Sequence, residues 1–215
     1  MPKAVLAQIP NAITLARLVL SLALFVMLGL ISAEPSALPS MLVLVAFVTY
    51  AIAAISDFID GALARRWNVT SGFGRVVDPF VDKILVLGSF MMLAGPNFWL
   101  VQDGRLVSTT GVMPWLVVLL TSRELLITVL RQVAESRGKS FGADWSGKLK
   151  TTIQLLAIGA ILLYLNYANL LPADMKKAAL WLRDGLIWAT AIITVISGII
   201  YVQRAVRLVQ TEEHQ

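Results

Sequence analysis

The sequence predicts an all-α membrane protein with six transmembrane helices, and three observations predict it. First, the 215 residues are 58% hydrophobic and only 14% charged, whereas a soluble domain is about half apolar and about a quarter charged. Second, six apolar runs approach or exceed the roughly 20 residues needed to cross a bilayer: 12–32, 41–60, 76–97, 112–133, 151–171 and 178–203. Third, the basic residues divide unevenly between the two sets of connections. The chain is read as a single domain, 1–215.

The first run follows a short stretch, Pro2 to Gln8, that suits the membrane interface. It is long and five more runs follow, which argues against a cleaved leader. Glu34-Pro35-Ser36 separates it from the second run, which ends on Asp57 and Asp60. Arg65 to Gly74 leads into the third, which opens with Asp78 and Asp82. The stretch from Pro96 to Gly111 is a polar loop with no assigned role. The fourth run carries Arg123 and Arg131, Lys148 and Lys150 precede the fifth, and Pro172 to Lys177 precedes the sixth. Six spans put both termini on one side. Of the 18 Lys and Arg residues, fourteen fall on that side and four on the other, so the termini are expected in the cytoplasm.

Composition also limits the chemistry. There is no cysteine, which excludes disulfides, thiolate catalysis and cysteine-bound zinc. The one histidine is His214, beside the C-terminus. Catalysis therefore falls to carboxylates, Lys or Arg, hydroxyls and bound ions. The net charge of +5 suits an anionic surface or substrate.

The informative segment runs from Ser56 to Lys83. Asp57 and Asp60 lie three apart, and Asp78 and Asp82 four apart, so each pair shares a helical face. A short loop bearing Gly72 and Gly74 makes the two helices antiparallel neighbours, with both pairs facing one crevice. Four carboxylates at the edge of hydrocarbon need a cation among them, and oxygen-only ligands select a hard ion such as Mg²⁺, Mn²⁺ or Ca²⁺. Gly61 and Ala64 leave room for a flat base or sugar. Arg65 presents a planar fork to phosphate oxygens, Ser71 a hydroxyl, and Gly74 a tight turn. A structural reading competes for each aspartate singly: a helix cap, or a partner for Arg65, Arg66 or Arg75. Asp78-Pro79 also has the form of a helix start. Four aspartates in this frame make the structural reading the weaker one.

The spacing D-x2-D-G-x2-A-R-x8-G-x3-D-x3-D is met at eight positions over 26 residues, by Asp57, Asp60, Gly61, Ala64, Arg65, Gly74, Asp78 and Asp82. It resembles the signature of the CDP-alcohol phosphotransferase family. That resemblance implies a six-helix bundle with a polar cavity open to the cytoplasm, usually a homodimer. It implies that Asp57, Asp60 and Asp78 bind a divalent metal, usually Mg²⁺ in a two-ion site. By the same resemblance Asp82 lies at the metal and is the general base, Gly61, Arg65 and Ser71 contact the CDP part, and CMP leaves.

Three further segments, Ile9 to Arg17, Ser122 to Arg131 and Gly147 to Gln154, are similar to the bacterial phosphatidylglycerophosphate synthase branch of that family. This implies CDP-diacylglycerol as donor and glycerol 3-phosphate as acceptor. A dianionic acceptor needs a basic pocket. Arg123 and Arg131, eight apart on one helix, are candidates for its phosphate, and an arginine deep in an apolar run needs a partner. Glu124 is expected to point away from Arg123, as sequence neighbours on a helix do. Lys148 and Lys150 fit either the pocket or a basic belt against lipid headgroups. Asn11, Thr14 and Arg17 are candidates to line the cavity, although Arg17 fits snorkelling to the interface equally well. Other acceptors (inositol phosphate, serine, a phosphatidyl lipid) are alternatives, as is a small cation transporter, against which the aspartates' place at one membrane face argues. Trp99, Trp115, Trp181 and Trp188 suit an interfacial belt, and Gly159, Gly185 and Gly198 close helix contacts.

Overall fold

The computed structural model describes residues 3–32, 41–67, 72–136 and 145–210, with backbone only at 3–10, 57–67, 72–79, 135, 145–146, 148 and 205–210. Among these residues the chain forms α1 (Lys3–Leu30), α2 (Met41–Trp67), α3 (Gly72–Leu93), β1 (Trp99–Gln102), β2 (Arg105–Ser108), α4 (Pro114–Ser136), α5 (Trp145–Tyr167) and α6 (Ala173–Gln210).

The helices show which solvent they expect. On α1, Leu15, Val19, Leu22 and Val26 form an exposed stripe at helical spacing, while Thr14, Arg17 and Ser21 are buried with Leu24 and Leu28. On α6, Trp181, Trp188, Ile192 and Ile199 are exposed, and Thr190, Thr194 and Ser197 are buried. Apolar outside and polar inside inverts the arrangement of a soluble helix and suits a lipid surround. Three described segments are long and apolar enough to span a membrane: Asn11–Leu30, Leu149–Tyr167 and Ala173–Arg204. Met41–Ser56 is a shorter apolar stretch. The fourth predicted span does not stand out by hydropathy, because α4 carries Arg123, Glu124 and Arg131 within its length.

α1 packs along both α2 and α3, α5 along α6 and α2, and α4 along α6. Among the described residues the expected α2–α3 pairing is slight, and α1 packs on both helices. At the α1–α3 crossing, Gly88 admits the ring of Phe25, which occupies the space a Cβ would need. The Tyr50 hydroxyl donates to the Leu155 carbonyl at 2.8 Å, tying α2 to α5. The core gathers Leu24, Leu28, Phe90, Leu93, Leu116 and Ile158.

Several expectations are corrected. The chain is mostly helical as expected, but part of 96–111 is an antiparallel hairpin rather than a loop, with Trp99 opposite Ser108 and Gln102 opposite Arg105. Its turn residues Asp103 and Gly104 have φ of 52° and 74°, the positive values that a two-residue Asp-Gly turn requires. Arg183, 6% exposed, holds the hairpin base. Its Nη1 donates to the Thr109 carbonyl at 2.7 Å, and its guanidinium is paired to Asp184 and stacked 4.5 Å over Tyr164. Gly74 lies inside the first turns of α3 rather than in a loop. Since α3 starts at Gly72, Asp78-Pro79 is not a helix start and Asp78 is not its cap. A Cβ on Gly159 would lie 3.8 Å from Tyr50 and one on Gly198 3.6 Å from Arg123, but a Cβ on Gly185 would meet nothing within 4 Å.

Candidate active site

The signature aspartates occupy two helix ends joined through 68–71. Asp57, Asp60, Gly61, Ala64 and Arg65 lie on the last turns of α2, and Gly74, Asp78 and Asp82 on the first turns of α3. Ser71 lies outside the described residues, as do the side chains of the others except Asp82. As ligands, these aspartates would offer carboxylate oxygen alone, which would fit a hard divalent cation and not a soft one.

Asp82 is described in full. Its carboxylate is half-exposed and accepts from the Arg17 guanidinium, which is completely buried. The interfacial, snorkelling reading of Arg17 therefore does not hold. The side chain turns inward because α1 packs on α3 there, and an inward arginine in an apolar run needs a counter-charge. The Ser21 hydroxyl donates to the Arg17 carbonyl at 2.8 Å, and Thr14, a turn earlier, is also buried. Asn11 is half-buried near the start of the same helix.

A second charged group lies beside Asp82. Glu124 on α4, 13% exposed in its side chain, meets three cations from three helices. Arg123 Nη1 donates to its Oε1 at 2.8 Å. Lys150 of α5 pairs with the same oxygen. Lys83 of α3 lies 3.9 Å from Oε2 and donates to Thr128 Oγ1 at 2.7 Å. That hydroxyl in turn donates to the Glu124 carbonyl at 2.7 Å. The expectation that Glu124 points away from Arg123 is thus corrected. Neighbouring Cβ atoms do diverge, but a long guanidinium arm swings back once burial leaves it no water. Arg123 also donates to Ser197 Oγ at 3.1 Å and lies 5.5 Å over the Tyr201 ring, both on α6. Its Nε has no partner among the described residues.

A cavity of about 190 Å³ opens between these groups, lined by Asp82, Lys83, Glu124, Lys150, Thr151 and Gln154 with Val86 and Leu87. It brings the predicted Asp82 and Lys150 together. Arg131 is exposed and does not line it, and the side chain of Lys148 lies outside the described residues. Lys83, Glu124 and Gln154 were not singled out by sequence reasoning. Lys83 follows Asp82 directly. Gln154 stands one helical turn after Lys150, a spacing that places both on one face.

The arrangement offers a carboxylate beside a cluster of cations drawn from α3, α4 and α5, a geometry suited to a phosphorylated hydroxyl compound. The comparisons with known proteins agree. The sequence model of the CDP-alcohol phosphatidyltransferase family matches residues 7–201. A probable phosphatidylglycerophosphate synthase of Mycobacterium tuberculosis is 36% identical over 210 residues, covering 95% of this chain and 85% of that protein. The CDP-diacylglycerol–glycerol-3-phosphate 3-phosphatidyltransferase of Bacillus subtilis is 30% identical over 197 residues, covering 89% and 91%. The Haemophilus influenzae protein of the same name is 32% identical over 203 residues, covering 92% and 93%. With a family match along nearly its whole length, the chain belongs to the CDP-alcohol phosphatidyltransferase family.

Proposed function

We propose that the protein transfers the phosphatidyl group of CDP-diacylglycerol to sn-glycerol 3-phosphate, forming phosphatidylglycerophosphate and CMP. The observation that carries this reading is the cavity in which Asp82 stands beside Lys83 and Lys150, since it pairs a proton acceptor with cations for a second phosphate. Relatives with that activity in their names align with most of the chain.

In this reading Asp57, Asp60, Asp78 and Asp82 hold divalent metal, Mg²⁺ or Mn²⁺ in a two-ion site. When bound, the metal neutralises the pyrophosphate and makes CMP a better leaving group. Gly61, Ala64, Arg65, Ser71 and Gly74 form the CDP-lipid site. Lys83 and Lys150, with Arg123 behind them, draw in the acceptor's phosphate. Arg131 and Lys148 are the further candidates for that phosphate that the sequence offers. Asp82 takes the proton of the attacking hydroxyl, and Arg17 fixes the plane of that carboxylate. The hydroxyl oxygen then attacks the lipid-side phosphorus, and the bond to the CMP oxygen breaks.

All six helices span the membrane, both termini and the active site are cytoplasmic, and the protein works as a homodimer. The test is an acceptor panel with the purified protein. CMP release from CDP-diacylglycerol should require both Mg²⁺ and glycerol 3-phosphate. Turnover with inositol phosphate or serine, and none with glycerol 3-phosphate, overturns the acceptor assignment. Arg123→Ala should raise KM for glycerol 3-phosphate more than KM for the CDP-lipid.

A further inference from the structure

One residue of the cavity wall, Gln154, carries a covered polar atom that the packing leaves unanswered. Gln154 is 2% exposed, and its Nε2 has no hydrogen-bond partner among the described residues. Buried amides are normally paired. Leucine or methionine would fill a similar volume with no polar group to satisfy. Gln154 lies a turn further along α5 than Lys150, about 6 Å of helix rise. The cavity's apolar residues, Val86 and Leu87, lie a turn beyond Asp82 and Lys83 on α3. The cavity thus has a charged end, with Lys83, Glu124, Lys150 and Asp82, and an apolar end where Gln154 supplies a neutral polar group.

A phosphorylated three-carbon diol has three polar groups to place. Its phosphate matches the lysines, and its attacking hydroxyl matches Asp82. Its remaining hydroxyl is left for the neutral end, because Glu124 is already engaged by Lys83, Arg123 and Lys150. We infer that Gln154 binds this non-reacting hydroxyl and thereby selects a diol phosphate over a phosphate ester with a single hydroxyl. An amide both donates and accepts, so it serves a hydroxyl in either orientation. Being neutral, it does not compete with the lysines for the phosphate. The inference rests on the acceptor reading above and adds to it a residue that discriminates among acceptors.

The experiment compares the full-length protein and Gln154→Leu on two acceptors, glycerol 3-phosphate and 3-hydroxypropyl phosphate, which lacks the middle hydroxyl. The wild type should prefer glycerol 3-phosphate in kcat/KM. In Q154L, kcat/KM for glycerol 3-phosphate should fall about 10–100-fold, the usual scale for one buried hydrogen bond. The analogue should stay within about twofold, and KM for CDP-diacylglycerol should not move. An equal loss on both acceptors, or unchanged selectivity, overturns the inference. Where Q154L does not fold, Q154M gives the same comparison. A wild type that uses another acceptor and not glycerol 3-phosphate overturns the acceptor reading, and this inference with it. A wild type active on glycerol 3-phosphate whose variants keep its selectivity overturns this inference alone.

Discussion

At the residue scale, two carboxylates have different neighbours, and those neighbours suit them to different roles. Asp82 has one oxygen gripped by a buried arginine while its side chain remains half-exposed to the cavity. A proton acceptor needs that combination: a fixed orientation and access to the substrate. Asp82→Asn keeps the shape and removes the basicity. Its kcat should fall about 10²–10⁴-fold, with CDP-diacylglycerol binding retained in a direct binding assay. Activity near wild type would exclude Asp82 as the base. Glu124, by contrast, is enclosed by Lys83, Arg123 and Lys150. Glu124→Gln leaves three neighbouring cations without a formal counter-charge. Breaking a buried ion pair costs about 3–5 kcal/mol, so the variant should melt several degrees lower in detergent. An unchanged melting curve would mean that water already screens the group. Asp82 was legible in the sequence because its spacing is part of a signature. Glu124 was not, because adjacency on a helix says where Cβ atoms point and nothing about where a buried guanidinium folds back.

At the scale of elements, helix contacts decide which glycines matter. Gly185 sits in α6 with open space around it, whereas Gly88 receives the Phe25 ring at the α1–α3 crossing. This crossing also brings Arg17 to Asp82, so its spacing bears on the site. Gly88→Ala should lower stability by about 1–3 kcal/mol, the range for overpacking, read as thermal unfolding in detergent. Combining it with Phe25→Leu should cost less than the sum of the single changes, because the pair shares one contact. Additive losses would show that the ring swings clear. Nothing in the sequence marks Gly88, since a glycine's role depends on which helix lies against it. The hairpin was more readable. Asp103-Gly104 is a strong turn signal, but four-residue strands among the polar residues between two apolar runs carry too little periodicity to be seen as strands. Its anchor, Arg183, is separated from Thr109 by 74 positions, beyond the reach of any local pattern.

For the whole molecule, the inverted polarity of α1 and α6 agrees with the membrane class read from composition, and the element order agrees with the six apolar runs. The number of spans was the harder inference. Helices that build a charged cavity cannot also be uniformly apolar, so α4 hides its length behind Arg123 and Glu124. Sidedness then rests on the distribution of cations, and it makes one prediction about the whole chain. If both termini are cytoplasmic, the hairpin faces outward and the α4 end faces inward. The protein has no cysteine, so single cysteines report without background. Gln102 in the hairpin and Ser136 at the end of α4 are both exposed. In right-side-out vesicles, Gln102→Cys should react with a membrane-impermeant maleimide. Ser136→Cys should react only after the vesicles are opened. Labelling of both in sealed vesicles would put the two sites on one side, with an even number of crossings between them instead of the one that α4 supplies, and would move the cavity's mouth away from the side where its soluble acceptor is supplied.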